Sequence, residues 1–447
     1  MDDYENLCNF ALKKNAVTCK YFSETYSKPY IIMQITRQLL LNECISAQQN
    51  GMIKVVTGLR RAGKSYLLFN LFYNYLLDTG VPADHIVRVN LEDRRRKALR
   101  DPDRLLAYID SQLKEDGHYF VFIDEIQHVP EFEDVLNSYL EMENVDVYVT
   151  GSNARFLSKD VLTTFRGRGY EIRVTPLRFR EYFPVRKEYV SEETALREYL
   201  LYGGLPRVAT LEKETEKKKY LTDLFRTTYL VDIKERNNLQ SDNDLSELID
   251  VVASSIGSLT NPLKLQNTFK TVKQSSISYN TIANYLEMLQ DAFLIDNSVR
   301  YDIKGRRYIN TPSKYYFTDC GLRNARINFR QQEFTHLMEN MIYCELCARG
   351  YSVDVGNVEY NTEIEGKQVR QQLEVDFVCN RGEERIYIQS AYALPDEEKT
   401  QQELRSLRLI HDNFRKIVVV GGLIPSTVTS DGIQIVNVID FLLKENI

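Results

Sequence analysis

The 447-residue sequence contains no tryptophan, and no apolar stretch approaches the ~20 residues that a membrane helix requires. Histidine is scarce: only His85, His118, His128, His336 and His411 occur, and none stands at a zinc spacing from the one C-x-x-C, Cys344 and Cys347. That pair is therefore expected to be two helix residues packed in a core. The seven cysteines are odd in number and spread along the chain, which argues against a disulfide scaffold. An excess of positive charge is missing too. With 57 Lys+Arg against 63 Asp+Glu, the net of −6 excludes a generally basic nucleic-acid coat, so any DNA contact must be local. The start, Met1-Asp2-Asp3-Tyr4-Glu5, is acidic where a signal peptide would be basic and then apolar, and the expectation is a reduced, cytoplasmic protein without a membrane partner. What is present is ordinary globular composition, 43% hydrophobic and 27% charged, with 29 Tyr and 20 Phe. The length suggests about three folding units.

Residues 1–29 read as an N-terminal extension that Pro29 closes, and a helical pattern runs from Ile31 to Gln49. A β-branched run, Ile53 to Thr57, then leads into a glycine-rich loop and a helix over Tyr66 to Leu77. Further buried-strand candidates are His85–Leu91, Tyr119–Ile123, Val145–Thr150 and Tyr170–Val174, with helical patterns between most of them. Strands alternating with helices predict an α/β fold built on a parallel sheet covered on both faces. Residues 193–258 read as helical, and a helix over Ser278–Leu294 precedes alternating segments at Ile295–Tyr301 and Tyr315–Thr318. Past Phe334 a second α/β unit is expected: a helix to Arg349, strands near Tyr351–Val355, Leu373–Cys379 and Ile386–Tyr392, a helix Glu398–Phe414, and strands Lys416–Val420 and Ile433–Val436.

Gly58-Leu59-Arg60-Arg61-Ala62-Gly63-Lys64-Ser65 matches G-x-x-x-x-G-K-S without a mismatch, and Tyr66 follows it. Glycines let the backbone curl so that successive N–H groups face a phosphate, and the following helix adds the positive end of its dipole. In such a loop the lysine reaches the β- and γ-phosphate oxygens and the serine hydroxyl binds Mg²⁺, so ATP and Mg²⁺ are the expected ligands. The run Tyr119-Phe120-Val121-Phe122-Ile123-Asp124-Glu125 is a buried strand ending in two carboxylates that no apolar core would favour. As a Walker-B strand it supplies Asp124 to orient Mg²⁺ and Glu125 to polarise the attacking water. The run Val147 to Asn153 is another apolar strand ending in small polar residues. Were this strand to lie between the other two, Ser152 or Asn153 could hold the lytic water; a plain Ser-Asn turn accounts for the residues equally well. Arg166 and Arg168 read either as a finger to a neighbouring subunit's γ-phosphate or as a solvated basic turn.

These segments, with Pro176-Leu177-Arg178-Phe179-Arg180-Glu181-Tyr182-Phe183, Gly203-Gly204-Leu205-Pro206 and Leu373-Glu374-Val375-Asp376-Phe377-Val378, resemble one group of AAA+ ATPases. These are the predicted ATPases of bacteria and archaea with a C-terminal domain of the restriction-endonuclease type. The resemblance spans most of the chain from Ile31 to Leu394. It implies an AAA+ P-loop domain (30–186), a helical and winged-helix region (187–325), a restriction-endonuclease-like domain (326–447), and a homo-oligomer that completes the ATP site. The winged-helix reading makes Tyr279–Leu294 the recognition helix and Arg300–Tyr315 the wing, with Lys304, Arg306 and Arg307 placed to contact DNA phosphates. A packing module is the alternative, and Glu287 and Asp291 are unfavourable beside DNA.

Nucleases of that type place an acid on one strand and Glu-x-Lys on the next. Here Glu339 and Asp376 are present, while the next strand reads Ile388-Gln389-Ser390-Ala391. A neutral amide is a poor Mg²⁺ ligand and alanine carries no charge, so a catalytically inactive domain is expected. Lys399 is the one nearby substitute for the missing lysine. Three functions stay open at this point: an ATPase that rearranges the other two domains, a slow nucleotide-gated switch or scaffold, and an ATP-dependent nuclease.

Overall fold

In the computed structural model, the described residues are 35–114, 117–151, 165, 167–239, 243–273, 277–330, 332–364, 367–422 and 424–445. The expected extension (1–29), Ser152, Asn153 and Arg166 lie outside them. Five runs of β-branched and aromatic residues form β1 (Ile53–Thr57), β2 (Ile86–Asn90), β3 (Tyr119–Asp124), β4 (Val145–Thr150) and β5 (Gly169–Arg173). All pair in parallel, in the order β2-β3-β4-β1-β5. Every residue of β1 and β3 is buried, which is why these runs show no alternation in the sequence. β4 lies between β1 and β3, so the carboxyl ends of all three strands meet in one place. In open parallel sheets, that is where ligands bind.

The helix that leaves the glycine-rich loop runs as Lys64–Tyr66, a π-helical Leu67–Phe72 and Tyr73–Asp78. It packs on the sheet through Phe72, whose ring lies 4.8 Å from that of Tyr148 and 5.5 Å from that of Phe122. Within the described part of its expected Ile31–Gln49 span, residues 35–49, helix α1 covers Gln38–Ser46. Arg37 stands at its N-cap with a non-helical backbone, and its guanidinium donates to the carbonyl oxygens of Ala62 (3.1 Å) and Thr175 (3.0 Å).

Between the sheets the chain is helical. Helices Glu192–Tyr202, Glu214–Leu224, Asn243–Ser254, Pro262–Thr268 and Tyr279–Asp291 precede a hairpin of β6 (Ile295–Asp302) and β7 (Arg307–Phe317). This hairpin belongs to the second sheet, where β6 runs parallel to β8 (Ser352–Ile364). β9 (Lys367–Arg381), β10 (Glu384–Ala391), β11 (Arg415–Val420), β12 (Thr427–Val428) and β13 (Gln434–Asn437) complete the order β12-β13-β11-β10-β9-β8-β6-β7. Helices α2 (Phe334–Ala348), α3 (Glu397–Arg408) and α4 (Val438–Leu443) accompany these strands. β8 and β9 run well past the short strands expected from the sequence. Their outer halves, 359–363 and 367–372, are mostly polar or solvent-facing and carry little hydrophobic signal, yet the hairpin ladder continues through them. Residues from Thr36 onward pack as one compact unit.

Candidate functional site: a phosphate-binding loop and its carboxylates

Gly58 leaves β1 with φ 122°, and a Cβ there would lie 2.1 Å from the Val174 carbonyl oxygen. Only glycine allows that approach. Gly63, at φ 105°, sits at the N-cap of the helix that starts with Lys64. Leu59 and Ala62 anchor the loop in the core, and Arg60 and Arg61 face outward. Arg60 bonds Asp232 at 2.6–2.7 Å, and the Tyr229 hydroxyl donates to the Arg60 carbonyl at 2.7 Å, so the helical region holds the loop's outer side. The buried Lys64 ammonium folds over its own loop, donating to the carbonyls of Gly58 (3.0 Å) and Leu59 (3.3 Å). Tyr66 is half-buried, and burial raises its phenol above the ordinary value.

The Ser65 hydroxyl donates to Asp124 Oδ1 at 2.8 Å, which joins the loop to the end of β3 across 59 positions. Thr150, the last residue of β4, donates to the same oxygen at 2.6 Å and accepts from the Glu125 backbone N–H at 2.9 Å. Burial raises the Asp124 carboxyl above its usual range, and these two hydroxyl donors oppose that shift. Glu125 is buried at φ 54°, a strained backbone for a residue with a side chain, and its carboxylate accepts from Gln127. Ser65 and Asp124 thus present hard oxygen donors side by side, which fits Mg²⁺ held by one or two protein oxygens with phosphate and water completing the shell. Among the described residues no three His, Cys, Asp or Glu side chains form a self-sufficient metal cage.

A cavity of about 310 Å³ opens beside Gly58 and Leu59, lined by Leu40, Pro176, Tyr199, Tyr343 and Cys347 among others. A chain of buried ions runs along it. Arg37 pairs with Glu181 (3.2 Å), and Glu181 caps the Arg178 backbone N–H (3.0 Å). Both guanidinium edges of Arg178 grip Glu345 on α2, and Glu345 also pairs with Arg349 (2.6 Å). Arg349 in turn donates to the Phe441 carbonyl on α4.

Several expected residues lie elsewhere. Arg168 is exposed, and its carbonyl accepts from the Ile53 N–H at 2.9 Å. In the turn between β6 and β7, Lys304 donates to the Glu359 carbonyl (2.5 Å) and Arg307 pairs with Asp302 (3.4 Å). Cys344 and Cys347 lie on α2, and the Cys344 thiol donates to the Phe317 carbonyl at 3.2 Å. Lys399 pairs with Glu403 (2.6 Å) on its own helix. The lysine that does meet Glu339 and Asp376 is Lys314, from β7. Nothing in the local sequence marks Lys314, because its partners stand 25 to 62 positions away. Thr150 is equally unmarked, although its place at the tip of a buried strand is a usable signal. Asp319 carries no local mark either: its carboxylate accepts from the Gly204 N–H (2.7 Å) and the Leu322 N–H (3.0 Å).

Residues 50–183 match the family model of an AAA domain, and residues 193–333 match a domain of unknown function. The first sheet is thus an α/β AAA domain. An uncharacterized protein of Haemophilus influenzae is 33% identical over 417 residues, covering 92% of this chain and 99% of that protein. The chain belongs to the same family. An uncharacterized protein of Methanocaldococcus jannaschii is 29% identical over 82% of this chain and 81% of its own length. Among solved structures, a Walker-type ATPase of Pyrococcus abyssi aligns with 68% of this chain and 99% of its own, at 14% identity and a TM-score of 0.47. No helix among the described residues is long and apolar enough to cross a membrane.

Proposed function

We propose that the chain binds ATP with Mg²⁺ at Gly58–Ser65 and hydrolyses it. The observation that carries this reading is the 2.8 Å bond between Ser65 and Asp124, made at the shared carboxyl end of β1, β3 and β4. Bound Mg²⁺ would neutralise phosphate charge there, held by Ser65 and Asp124. Backbone N–H groups of the loop from Gly58 to Lys64 cradle the phosphates, and Lys64 exchanges its loop carbonyls for phosphate oxygens. Glu125, fixed by Thr150 and Gln127, orients and polarises the attacking water. Asn153 is assigned the second contact to that water on its sequence position alone, and Arg166 or Arg168 the role of a finger to a neighbouring copy in a homo-oligomer.

Hydrolysis is read as driving rearrangement between the AAA domain and the rest of the chain. The buried ions from Arg37 through Arg178 to Glu345 and Arg349 support that coupling, because they connect the loop's Ala62 carbonyl to α2 and α4. We assign residues 326–447 to a restriction-endonuclease-like domain without cleavage activity, and residues 187–325 to a helical and winged-helix region whose β6–β7 hairpin extends the second sheet. Lys304, Arg306 and Arg307 are solvent-exposed in the β6–β7 turn, which suits them to contact DNA phosphates in this reading, while Lys304 also donates to the Glu359 carbonyl. Steady-state ATP turnover of the full chain and of Lys64→Ala tests the assignment. The expected result is a loss on the order of a hundredfold or more, with weakened nucleotide binding; undiminished turnover in the variant would sink it.

A further inference from the structure

We propose that Lys314 is a built-in counter-ion, occupying the centre of the C-terminal acidic cluster in place of a metal ion and latching the β6–β7 hairpin to that domain. The Lys314 ammonium lies 2.8 Å from Glu339 on α2, 2.6 Å from Glu374 and 3.6 Å from Asp376, both on β9. Its side chain is 3% exposed. Glu374 and Asp376 are two positions apart on one strand, so their side chains share a face. Glu339 reaches the same point from the helix packed against it. An ammonium carries three donors and no acceptor, which suits three carboxylates converging from two elements.

Removing the lysine would leave three acids facing one another with nothing between them. Like charges that close are unfavourable, most of all between the largely buried Glu339 and Asp376, so the cluster is relieved either by a cation or by taking up a proton. Two further observations say that Lys314 is that cation. Tyr316, two residues along β7 on the same face, donates to the same Glu339 oxygen at 2.7 Å, so the hairpin holds Glu339 twice. Behind it, Gly257 approaches so closely that a Cβ there would sit 3.2 Å from the Glu339 carboxylate, and the helical region walls off that side.

The strand that would supply further charge stays neutral. Gln389 accepts from the Asp376 N–H (3.3 Å) and donates to Glu403 (3.4 Å). Asp376 spends its other oxygen on the Ser390 N–H at 2.8 Å. The acids thus converge on Nζ, and among the described residues they do not form a metal-holding group of their own. The consequence goes beyond ATP hydrolysis: the C-terminal domain needs no divalent ion, and its acids hold the hairpin in register instead of acting on a substrate.

The test is the thermal unfolding midpoint of the full-length protein without nucleotide, with and without millimolar Mn²⁺. Wild type and Asp376→Asn should respond to Mn²⁺ alike. Lys314→Met should melt several degrees lower than wild type without metal, recover part of that loss in Mn²⁺, and lose the recovery when combined with Asp376→Asn. A Mn²⁺ response of the wild type that Asp376→Asn removes would overturn the proposal. So would a Lys314→Met protein with an unchanged midpoint and no Mn²⁺ response. Should Lys314→Met fail to fold, the comparison of wild type with Asp376→Asn decides by itself.

Discussion

Lys64 and Lys314 are both buried lysines beside carboxylate-bearing strands, and they stand in opposite situations. Lys64 begins a helix at the end of a glycine-rich loop and donates to that loop's own neutral carbonyls. Lys314 grows from the middle of a strand and is held by charged acids. Burial alone would lower the Lys314 ammonium, but Glu339, Asp376 and Glu374 outweigh it and hold it above its ordinary value. A lysine bonded to carbonyls of a loop can exchange them for phosphate; one surrounded by carboxylates gives up far more on leaving. On the two proposals above, the same side chain serves ligand binding in one sheet and cohesion in the other.

That contrast can be broken most directly at the AAA site. Glu125→Gln should keep ATP binding while turnover falls about 10²–10⁴-fold, read by equilibrium binding and phosphate release. Loss of binding as well would make Glu125 a structural acid, closer in kind to Glu339. The next effect concerns the ion chain. Glu345→Gln leaves Arg178 and Arg349 without their buried carboxylate, and about 3–5 kcal/mol of stability should go with it in denaturant unfolding. A small loss there would show that the link from the loop to α2 and α4 carries little.

Asp319 sharpens the contrast with a third case, a buried acid that faces backbone N–H groups and no lysine. Burial raises its carboxyl from 3.8 to about 6, against the opposing N–H groups of Gly204, Leu322 and Gly321. The folded chain therefore binds this proton more readily than the unfolded one. Its contribution to stability is greatest at low pH and is lost as pH rises from about 4 to about 6, by at most about 3 kcal/mol. Asp319→Asn should flatten that part of the stability–pH curve, and an unchanged slope would assign it to other groups.

Much of the AAA site was legible because its chemistry is written in contiguous runs. The loop Gly58–Ser65, the acids Asp124 and Glu125 and the strands that carry them lie within short segments whose residue types suit little besides phosphate and metal binding. The placement of β4 between β1 and β3 was conditional in the sequence and is met in the fold. The second sheet was less legible. The polar outer halves of β8 and β9 gave no periodic signal, and the turn at Lys304–Arg307 gave no sign of the Glu359 carbonyl and the Asp302 carboxylate that its side chains meet in the sheet.

The sequence by itself determined the parallel sheet, the glycine-rich loop at the end of β1 and the absence of a Glu-x-Lys run from β10, since each depends on neighbours a few residues apart. Only the tertiary structure decided what Lys314, Thr150, Arg178 and Asp319 do. Thr150 stands 26 residues from Asp124, and Arg178 stands 167 from Glu345. A charge becomes informative only when its counter-charge is known, and in a folded chain that counter-charge is chosen by packing rather than by position along the sequence.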